Sequence, residues 1–284
     1  MRTAYLILLV LVVVVVFVVV WYHSKLLYAH HSTLDGPLDR DVVVSLTSVP
    51  PRIKSGRLRV AIDSLAKQTL PPTQILLNLP RYSKRFECDY MAPSWAHEYP
   101  TLQIHWCEKD YGPATKILGG LATLDPSTIV VFLDDDTEYN ENLVGYLVKN
   151  VLRDPTSVFA LHKGSKPDRF MGSCGVAFVV GLVNPKDMIG FHNNLPDACR
   201  AVDDVWMTKY FNMHGIEVKQ TTPPVRFWAS VLRTPHWNRP STWLPSWQFI
   251  TERHKGDNFG LNVNRAKTQN QACWDALSSF AHTE

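Results

Sequence analysis

Three consecutive aspartates, Asp134, Asp135 and Asp136, follow directly after the mostly apolar run of residues 128–133. A short β-branched run that ends in polar residues predicts a buried strand, and α/β proteins bind ligands at the carboxyl ends of such strands. Adjacent carboxylates repel one another, so a hard divalent cation such as Mg²⁺ or Mn²⁺ is their natural partner. The triplet therefore predicts a metal site, and the competing interpretation is a solvated acidic turn.

A second acidic pair, Asp203 and Asp204, begins the predicted helix of residues 203–214, and Gly215 has the position of a helix C′ residue. The helix dipole alone favours carboxylates at a helix N-terminus, which is the structural interpretation. The chemical interpretation is a general base that takes the proton from an acceptor hydroxyl as that hydroxyl attacks a carbon. Both interpretations stay open on the residues alone.

Two basic residues and two glycines add further candidates. Lys116 falls in the first turn of a predicted helix, where free backbone N–H groups and a cation could bind phosphate. Gly172 and Gly175 would let a ligand approach the backbone closely, or would form a bulge or turn. Arg52 follows the first predicted strand and could contact a nucleotide or face solvent.

Apolar runs and helical periodicities alternate along most of the chain. Strands are predicted at residues 41–47, 74–79, 102–107, 128–133, 157–161 and 216–221. Helices are predicted at residues 55–69, 114–124, 141–152 and 203–214. This alternation predicts an α/β fold in which a mostly parallel central sheet is flanked by helices. The order becomes irregular after Met171.

The N-terminus carries an uncharged apolar segment at residues 4–22. As a helix it would extend about 28 Å, close to the hydrocarbon thickness of a bilayer. It exceeds the usual apolar core of a signal peptide, which is the alternative. We expect a short tail and one transmembrane helix at residues 1–22, a linker or stem at 23–40 and one catalytic domain at 41–284. A single-pass, type II orientation is expected, in the Golgi or another endomembrane if the source is eukaryotic.

Charge and cysteine content exclude some classes of protein and site. The formal net charge is only +3 and the chain contains no run of Lys and Arg, so nucleic acid is not an expected partner. The five cysteines show no metal-binding spacing. Their odd number leaves at least one unpaired within a single chain, and the pairing of the others stays open.

Several segments, taken in order, resemble those of GT-A fold nucleotide-sugar glycosyltransferases of a family 2-like, DxD-containing type. Residues 129–136 are similar to their strand with the acidic DxD element, and residues 43–52 to their first strand and nucleoside-binding loop. Residues 111–116 resemble a loop-to-helix segment ahead of the DxD, and residues 172–175 a glycine-rich acceptor-side loop. Residues 202–204 lie where the catalytic acidic pair belongs.

The resemblance covers roughly residues 42–221 and implies roles for the metal and donor sites. The residues that it assigns to the metal are Asp136, Asp134 and a late histidine, His236 or else His254. The residues that it assigns to the nucleotide-sugar donor are Thr47, Arg52, Lys116, Asp134 and Asp135. Membrane attachment through the N-terminal helix would accompany these roles.

The resemblance also implies catalytic and acceptor-side roles. It aligns Asp204 with the catalytic base and Asp203 with its acidic neighbour. It assigns Gly172 and Gly175 to the acceptor side. Trp237 belongs to a tryptophan-rich stretch that could stack on the sugar rings of an acceptor or pack inside the protein.

The implied activity is a metal-dependent glycosyltransferase, a hexosyl- or related transferase that uses Mn²⁺ or Mg²⁺. It would move a sugar from a UDP- or GDP-linked donor to a hydroxyl of a glycan, protein or lipid, with inversion if Asp204 is the base. The alternatives are a non-catalytic carbohydrate-binding relative and a haloacid dehalogenase-type phosphohydrolase. The phosphohydrolase motif would need Thr or Val where this chain has Glu138, and the lack of basic patches disfavours a nuclease.

Overall fold

The computed structural model of this chain describes residues 2–32, 34, 37–161, 175–221, 250–253 and 263–280. The strands are β1 (Val42–Thr47), β2 (Gln74–Pro80), β3 (Tyr82–Ser83), β4 (Cys88–Asp89), β5 (Leu102–Cys107), β6 (Ile129–Phe132), β7 (Thr137–Tyr139), β8 (Val158–Ala160), β9 (Val176–Val179), β10 (Val218–Gln220) and β11 (Ile250–Arg253). The helices are α1 (Arg2–Ser32), α2 (Pro50–Ser55), α3 (Arg57–Ala66), α4 (Thr115–Leu118), α5 (Leu143–Arg153), α6 (Pro185–Asn193), α7 (Asp203–Met213) and α8 (Val263–Phe280).

Seven of these strands form one sheet in the order β10-β8-β9-β6-β1-β2-β5. Strand β9 pairs antiparallel with both of its neighbours, and the other pairings in this sheet are parallel. The predicted α/β fold with a mostly parallel central sheet is therefore confirmed. The sequence pattern does not predict β9 or α6, because both are short and follow a stretch rich in glycine and proline.

Strand β6 shows why the sheet is covered on both faces. Ile129 and Val131 join one core with residues of α3 and α5, whereas Val130 and Phe132 join a second core with residues of α4, α6, α7 and α8. Successive side chains of a strand point to opposite faces, so a strand that is apolar at every position is buried on both sides.

The chain changes its direction of travel across the sheet between β1 and β6. From β1 it adds β2 and then β5 on one side, and it later adds β6 on the other side of β1. In open parallel sheets such a switch point leaves a crevice at the carboxyl ends of the two central strands, where ligands bind. The segment after β1 and the aspartate triplet after β6 therefore border the same crevice.

The single helix predicted for residues 114–124 is instead three short turns. These turns are Gly112–Ala114, α4 and Leu121–Thr123. Gly119 and Gly120 separate the last two turns and lie directly against the sheet, since a Cβ at Gly120 would lie 2.5 Å from Leu76 Cδ2. The glycine pair therefore interrupts the helix and lets the backbone approach β2 closely.

The helix predicted for residues 55–69 begins earlier, at Pro50, and is divided at Gly56 into α2 and α3. Gly56 has a φ of 76°, a left-handed conformation that glycine adopts without steric cost and that ends α2. Helix α2, which carries Arg52, follows β1 after two residues.

The apolar N-terminal segment lies in α1, whose side chains from Ile7 to Val19 are more than half exposed. None of the helices in the part of the chain that the structure describes combines the length and the apolar character needed to cross a membrane. The structure therefore does not support the transmembrane helix predicted at residues 1–22.

A disulfide joins Cys199 to Cys273, with 4.7 Å between their Cα atoms. It ties α8 to the turn that precedes α7, and both sulfurs lie in the core formed by α4, α6, α7 and α8. Cys88 and Cys107 are free thiols, the first exposed and the second buried. Cys174 lies outside the described residues.

Candidate active site

The segment that leaves β1 supplies two side chains to the aspartate triplet. Ser48 Oγ donates to Asp135 Oδ2 at 2.5 Å. The Arg52 guanidinium donates to Asp135 Oδ1 and also, at 3.2 Å, to Asp136 Oδ2. Pro50 suits the first position of α2, and this helix turn carries Arg52 over the strand ends. The loop after β1 therefore holds two of the three carboxylates.

The three aspartates of the triplet differ in exposure. The side chain of Asp135 is 6% exposed, whereas those of Asp134 and Asp136 are 26% and 16% exposed. Burial raises the pKa of Asp135 to about 6, although Arg52 and Ser48 act to lower it. The middle aspartate is therefore an internal structural group, and the outer two are more accessible to a ligand.

Lys116, on α4, forms a buried bridge between two acidic segments. Its Nζ lies 2.8 Å from Asp134 Oδ1 and 2.7 Å from Asp203 Oδ2, and its side chain is 4% exposed. Burial alone would lower the pKa of Lys116, but the charges of Asp134, Asp203 and Asp204 outweigh it and raise the pKa well above its ordinary value. The lysine is therefore charged, and it joins the triplet to the acidic pair.

Helix α7 begins at Asp203, as predicted, and Gly215 follows its end with a φ of 67°. Asp203 is buried beside Lys116, whereas Asp204 is only partly buried. The backbone N–H of Asp204 donates to Asp203 Oδ1 at 3.2 Å. Asp203 is thus held inside the protein, and Asp204 is the more accessible of the two to a ligand.

Two other predicted site residues have structural partners. Thr47 Oγ1 donates to the carbonyl oxygen of Asn78 at 2.7 Å, across the pairing of β1 with β2. Gly175 has a φ of 108°, and a Cβ there would lie 3.1 Å from Leu147 Cδ1 and 3.2 Å from Leu133 Cδ2. Backbone conformation and core packing account for this glycine, and its acceptor-side role stays a prediction.

The remaining predicted site residues fall into two groups. Those that the structure brings together are Arg52, Lys116, Asp134, Asp135, Asp136, Asp203 and Asp204. Those that lie outside the described residues are Gly172, His236, Trp237 and the alternative ligand His254. The roles proposed for this second group stay predictions.

Sequence reasoning does not single out two residues that contact the triplet, Ser48 and Tyr139. Ser48 belongs to the segment that resembles a nucleoside-binding loop, which is the only signal that could have found it. Tyr139 lies on β7 and its hydroxyl bonds to the backbone of Asp134. The positions of Ser48 and Tyr139 in the sequence do not show that their side chains contact the triplet.

A divalent cation is compatible with the donor chemistry of the triplet. In the residues that the structure describes, no group of three or more His, Cys, Asp or Glu side chains is arranged to hold a metal ion. The triplet and the acidic pair nevertheless supply five carboxylates against two cations, Arg52 and Lys116, which leaves three formal negative charges. Mg²⁺ is commonly held by one or two carboxylates with water and substrate phosphates, and Asp134 and Asp136 are the residues that would hold it.

Comparisons with known proteins give no family. No protein-family model matches the sequence, and no curated protein matches it. Among solved structures the chain is similar to the mannosyltransferase PcManGT from Pyrobaculum calidifontis in complex with GDP-Man and Mn²⁺. The TM-score is 0.43 and the identity 15%, over 95% of this chain and 86% of that chain.

Two further solved structures show a similar degree of likeness. For S. aureus TarS 1-349 in complex with UDP, the TM-score is 0.44 and the identity 14%, over 68% of this chain and 63% of that chain. For 4-diphosphocytidyl-2C-methyl-D-erythritol synthase, the TM-score is 0.40 and the identity 10%, over 64% and 90%. Likeness at this level carries no argument about activity, so the case for a function rests on the residues of the site.

Proposed function

We propose that this chain is a metal-dependent glycosyltransferase of the GT-A type, which moves a sugar from a nucleotide-sugar donor to an acceptor hydroxyl. The observation that carries this function is the ion bridge at Lys116, because it joins the triplet after β6 to the acidic pair that begins α7. The bridge therefore links a proposed carboxylate-rich cation site to the segment of the candidate base Asp204, near the switch point of a parallel sheet. Sugar transfer from a nucleoside diphosphate needs both parts.

On the donor side, Asp134 and Asp136 are the residues that would hold Mn²⁺ or Mg²⁺, and a bound cation would supply positive charge to neutralise the diphosphate leaving group. The contacts of Asp135 with Ser48 and Arg52 keep the middle carboxylate inside the protein and fix the loop that carries the outer two. The donor is a UDP- or GDP-linked sugar. The further donor and metal contacts proposed from the resemblance are those of Thr47, Arg52 and His236.

On the acceptor side, Asp204 takes the proton from the acceptor hydroxyl as the reaction proceeds. The acceptor oxygen forms a bond to the anomeric carbon, and the bond from that carbon to the diphosphate oxygen breaks. Attack from the face opposite the leaving group inverts the anomeric configuration. The acceptor is a glycan, protein or lipid, and its proposed contacts are Gly172, Gly175 and Trp237.

We place the catalytic domain in an oxidising compartment. Disulfides persist in secretory compartments and are rare in the cytosol, so the Cys199–Cys273 bond supports this placement. A single-pass, type II anchor in the Golgi or another endomembrane stays a prediction from the sequence. Protease protection of the domain in intact microsomes, lost on detergent treatment, is the expected result, and cleavage in intact microsomes would contradict it.

A donor screen tests the proposed activity. The full chain is incubated with a panel of UDP- and GDP-sugars at increasing Mn²⁺ concentration, and release of the nucleoside diphosphate is measured with and without an acceptor array. We expect Mn²⁺-dependent release from at least one donor. Asp136→Asn should lower that rate at least about 100-fold, because the leaving-group charge is no longer neutralised.

The matched control is Asp125→Asn, which changes an exposed aspartate just before β6, at the opposite edge of the sheet, and should leave the rate unchanged. Absence of binding and of turnover with every donor would overturn the proposed activity. Mn²⁺-dependent nucleotide binding without transfer to any acceptor would favour the non-catalytic carbohydrate-binding relative. Release of phosphate from simple phosphomonoesters would favour the phosphohydrolase.

A further inference from the structure

We propose that Lys116 is a positioning residue that locks the metal-binding loop to the start of α7. In this role it sets the separation between the leaving group and the base Asp204 before substrates bind. This differs from the phosphate contact that the resemblance implies for the same lysine. It rests on the proposed glycosyl transfer, because it assigns a task within that reaction.

Two of the three side chains in the ion bridge, those of Lys116 and Asp203, are largely closed to solvent. Lys116 Nζ contacts one carboxylate of the triplet, Asp134, and one of the acidic pair, Asp203, at 2.8 Å and 2.7 Å. The Lys116 side chain is 4% exposed, and that of Asp203 is 12% exposed. Removing one partner of a buried ion pair strongly destabilises a protein, because the remaining charge is left uncompensated.

The backbone of Lys116 is also held in place, by hydrogen bonds to its carbonyl oxygen. Ser45 Oγ donates to the carbonyl oxygen of Lys116 at 2.5 Å, and Asn78 Nδ2 donates to the same oxygen at 3.4 Å. Ser45 lies on β1 and Asn78 on β2, so both contacts come from the middle of the sheet. Lys116 therefore extends from a rigid base to the aspartate triplet and to the start of α7.

The same geometry argues against Lys116 as a mobile phosphate ligand. To reach a phosphate, the ammonium group would have to leave Asp134 and Asp203, and the largely buried carboxylate of Asp203 would lose its cation. Transfer rates depend steeply on the alignment of donor and acceptor, so a rigid link between the two loops contributes by orientation. The lysine therefore acts through Asp134 and Asp203 and not on the substrate.

The test compares three variants of the full chain: Lys116→Met, Asp203→Asn and the double variant. For each we measure kcat, the donor KM, binding of the nucleoside diphosphate with Mn²⁺, and the midpoint of thermal unfolding. Lys116→Met should lower kcat about 100-fold, as expected for misaligned reactants. It should change the donor KM by less than about threefold, because the lysine makes no contact with the donor that would contribute to donor binding.

The unfolding measurements test the bridge without any turnover. Lys116→Met leaves a buried carboxylate unpaired, so the double variant should unfold at a higher temperature than Lys116→Met alone. Lys149→Met serves as the matched control, since Lys149 is a buried lysine of α5 outside the site and its loss should leave kcat unchanged. If Lys116→Met does not fold, the kcat and KM of Asp203→Asn provide the same readout.

Three results would overturn the positioning role. A raised donor KM with unchanged kcat in Lys116→Met would make the lysine a donor contact. Unchanged kcat and KM would remove any role in the reaction. Additive effects in the unfolding cycle would show that the bridge does not form. A wild-type chain that turns over no donor would overturn the proposed transferase activity, and the unfolding cycle would still decide whether the bridge exists.

Discussion

The phenol oxygen of Tyr139 holds both backbone polar groups of Asp134. The backbone N–H of Asp134 donates to Tyr139 Oη at 3.0 Å, and the hydroxyl donates to the Asp134 carbonyl oxygen at 2.9 Å. Burial, with the charges of Asp134 and Asp136, raises the pKa of Tyr139 well above its ordinary value, so the hydroxyl keeps the proton that it donates. One buried tyrosine therefore maintains the backbone conformation at the start of the triplet, between β6 and β7.

Replacing Tyr139 by Phe should weaken the cation site without removing any carboxylate. Both backbone groups of Asp134 lose their bond to Tyr139, and the loop that carries the proposed metal ligands relaxes. Loss of such supporting contacts typically lowers metal affinity or activity about 10–100-fold. The measurement is the Mn²⁺ concentration that gives half-maximal nucleoside diphosphate release.

Tyr99→Phe is the matched control, because it also removes a phenol hydroxyl, which donates to Asp63 and lies near the amino-terminal edge of β5. It should leave the Mn²⁺ dependence of release unchanged. Equal Mn²⁺ dependence in Tyr139→Phe and the wild type would show that Tyr139 does not shape the cation site.

Replacing Cys273 by Ser should destabilise the domain. The disulfide closes a loop between residues separated by 74 positions. In the chain-entropy description such a loop contributes about 4 kcal/mol to the free energy of unfolding. Urea unfolding of the oxidised wild type and of Cys273→Ser measures the difference. Cys88→Ser removes an exposed free thiol and should leave the midpoint unchanged, whereas equal midpoints for Cys273→Ser and the wild type would contradict the pairing.

Replacing Gly120 by Ala should disturb the packing of β2 against the segment that carries Lys116. The new Cβ would lie 2.5 Å from Leu76 Cδ2 and 2.6 Å from Asn78 Oδ1, and Asn78 bonds to the carbonyl oxygen of Lys116. Overpacking of this kind costs about 1–3 kcal/mol of stability. We expect a lower urea midpoint and a lower kcat for Gly120→Ala.

The contrasting variant is Gly190→Ala, on α6, where a Cβ would meet nothing within 4 Å. Because alanine is a better helix former than glycine, Gly190→Ala should be neutral or gain up to about 1 kcal/mol. A destabilisation of Gly190→Ala equal to that of Gly120→Ala would mean that crowding against β2 is not the cause.

The stability of the domain should fall as the pH falls from about 6.5 to 4 because of His192. This residue is buried on α6 between the rings of Tyr111 and Trp206, with centroid distances of 5.4 Å and 5.2 Å. Burial, with the positive charges of Arg200 and Lys109, lowers the pKa of His192 to about 4. In this pH window the His192 imidazole is therefore protonated in the unfolded chain and neutral in the folded chain.

Between pH 7.5 and 5 the wild type should lose about 2 kcal/mol more stability than His192→Phe. Phenylalanine keeps the ring contacts, and among the described residues the His192 nitrogens have no hydrogen-bond partner to lose. Free energies of unfolding in urea at a series of pH values measure the difference. Parallel curves for the two proteins would show that His192 does not titrate in this way.

The elements that sequence reasoning predicts well are those with long apolar periodicity. Strand β6 and helix α7 lie where the pattern predicts them, because each buries its side chains in a regular order. The helix predicted at residues 114–124 is wrong, since the contact of Gly120 with Leu76 decides how the chain crosses the sheet. That contact joins distant segments, and no local pattern contains it.

The same division applies to the candidate site. The pattern identifies Asp134 to Asp136 at a strand end and Asp203 with Asp204 at a helix start, because both positions depend on local structure. It does not show that Asp135 is buried, since that depends on Ser48 and Arg52 from another segment. It also does not choose among cysteine pairings, because pairing needs two Cα atoms close in space.

By itself, the sequence determined that this protein has a mostly parallel α/β sheet, with three aspartates at a strand end and two at a helix start. Short-range periodicity and polar residues at element ends suffice for that conclusion. Only the tertiary structure decided which carboxylates are internal and which are accessible. The reason is physical: the order of the strands brings the ends of β1 and β6 together, and burial then pairs Lys116 with Asp134 and Asp203.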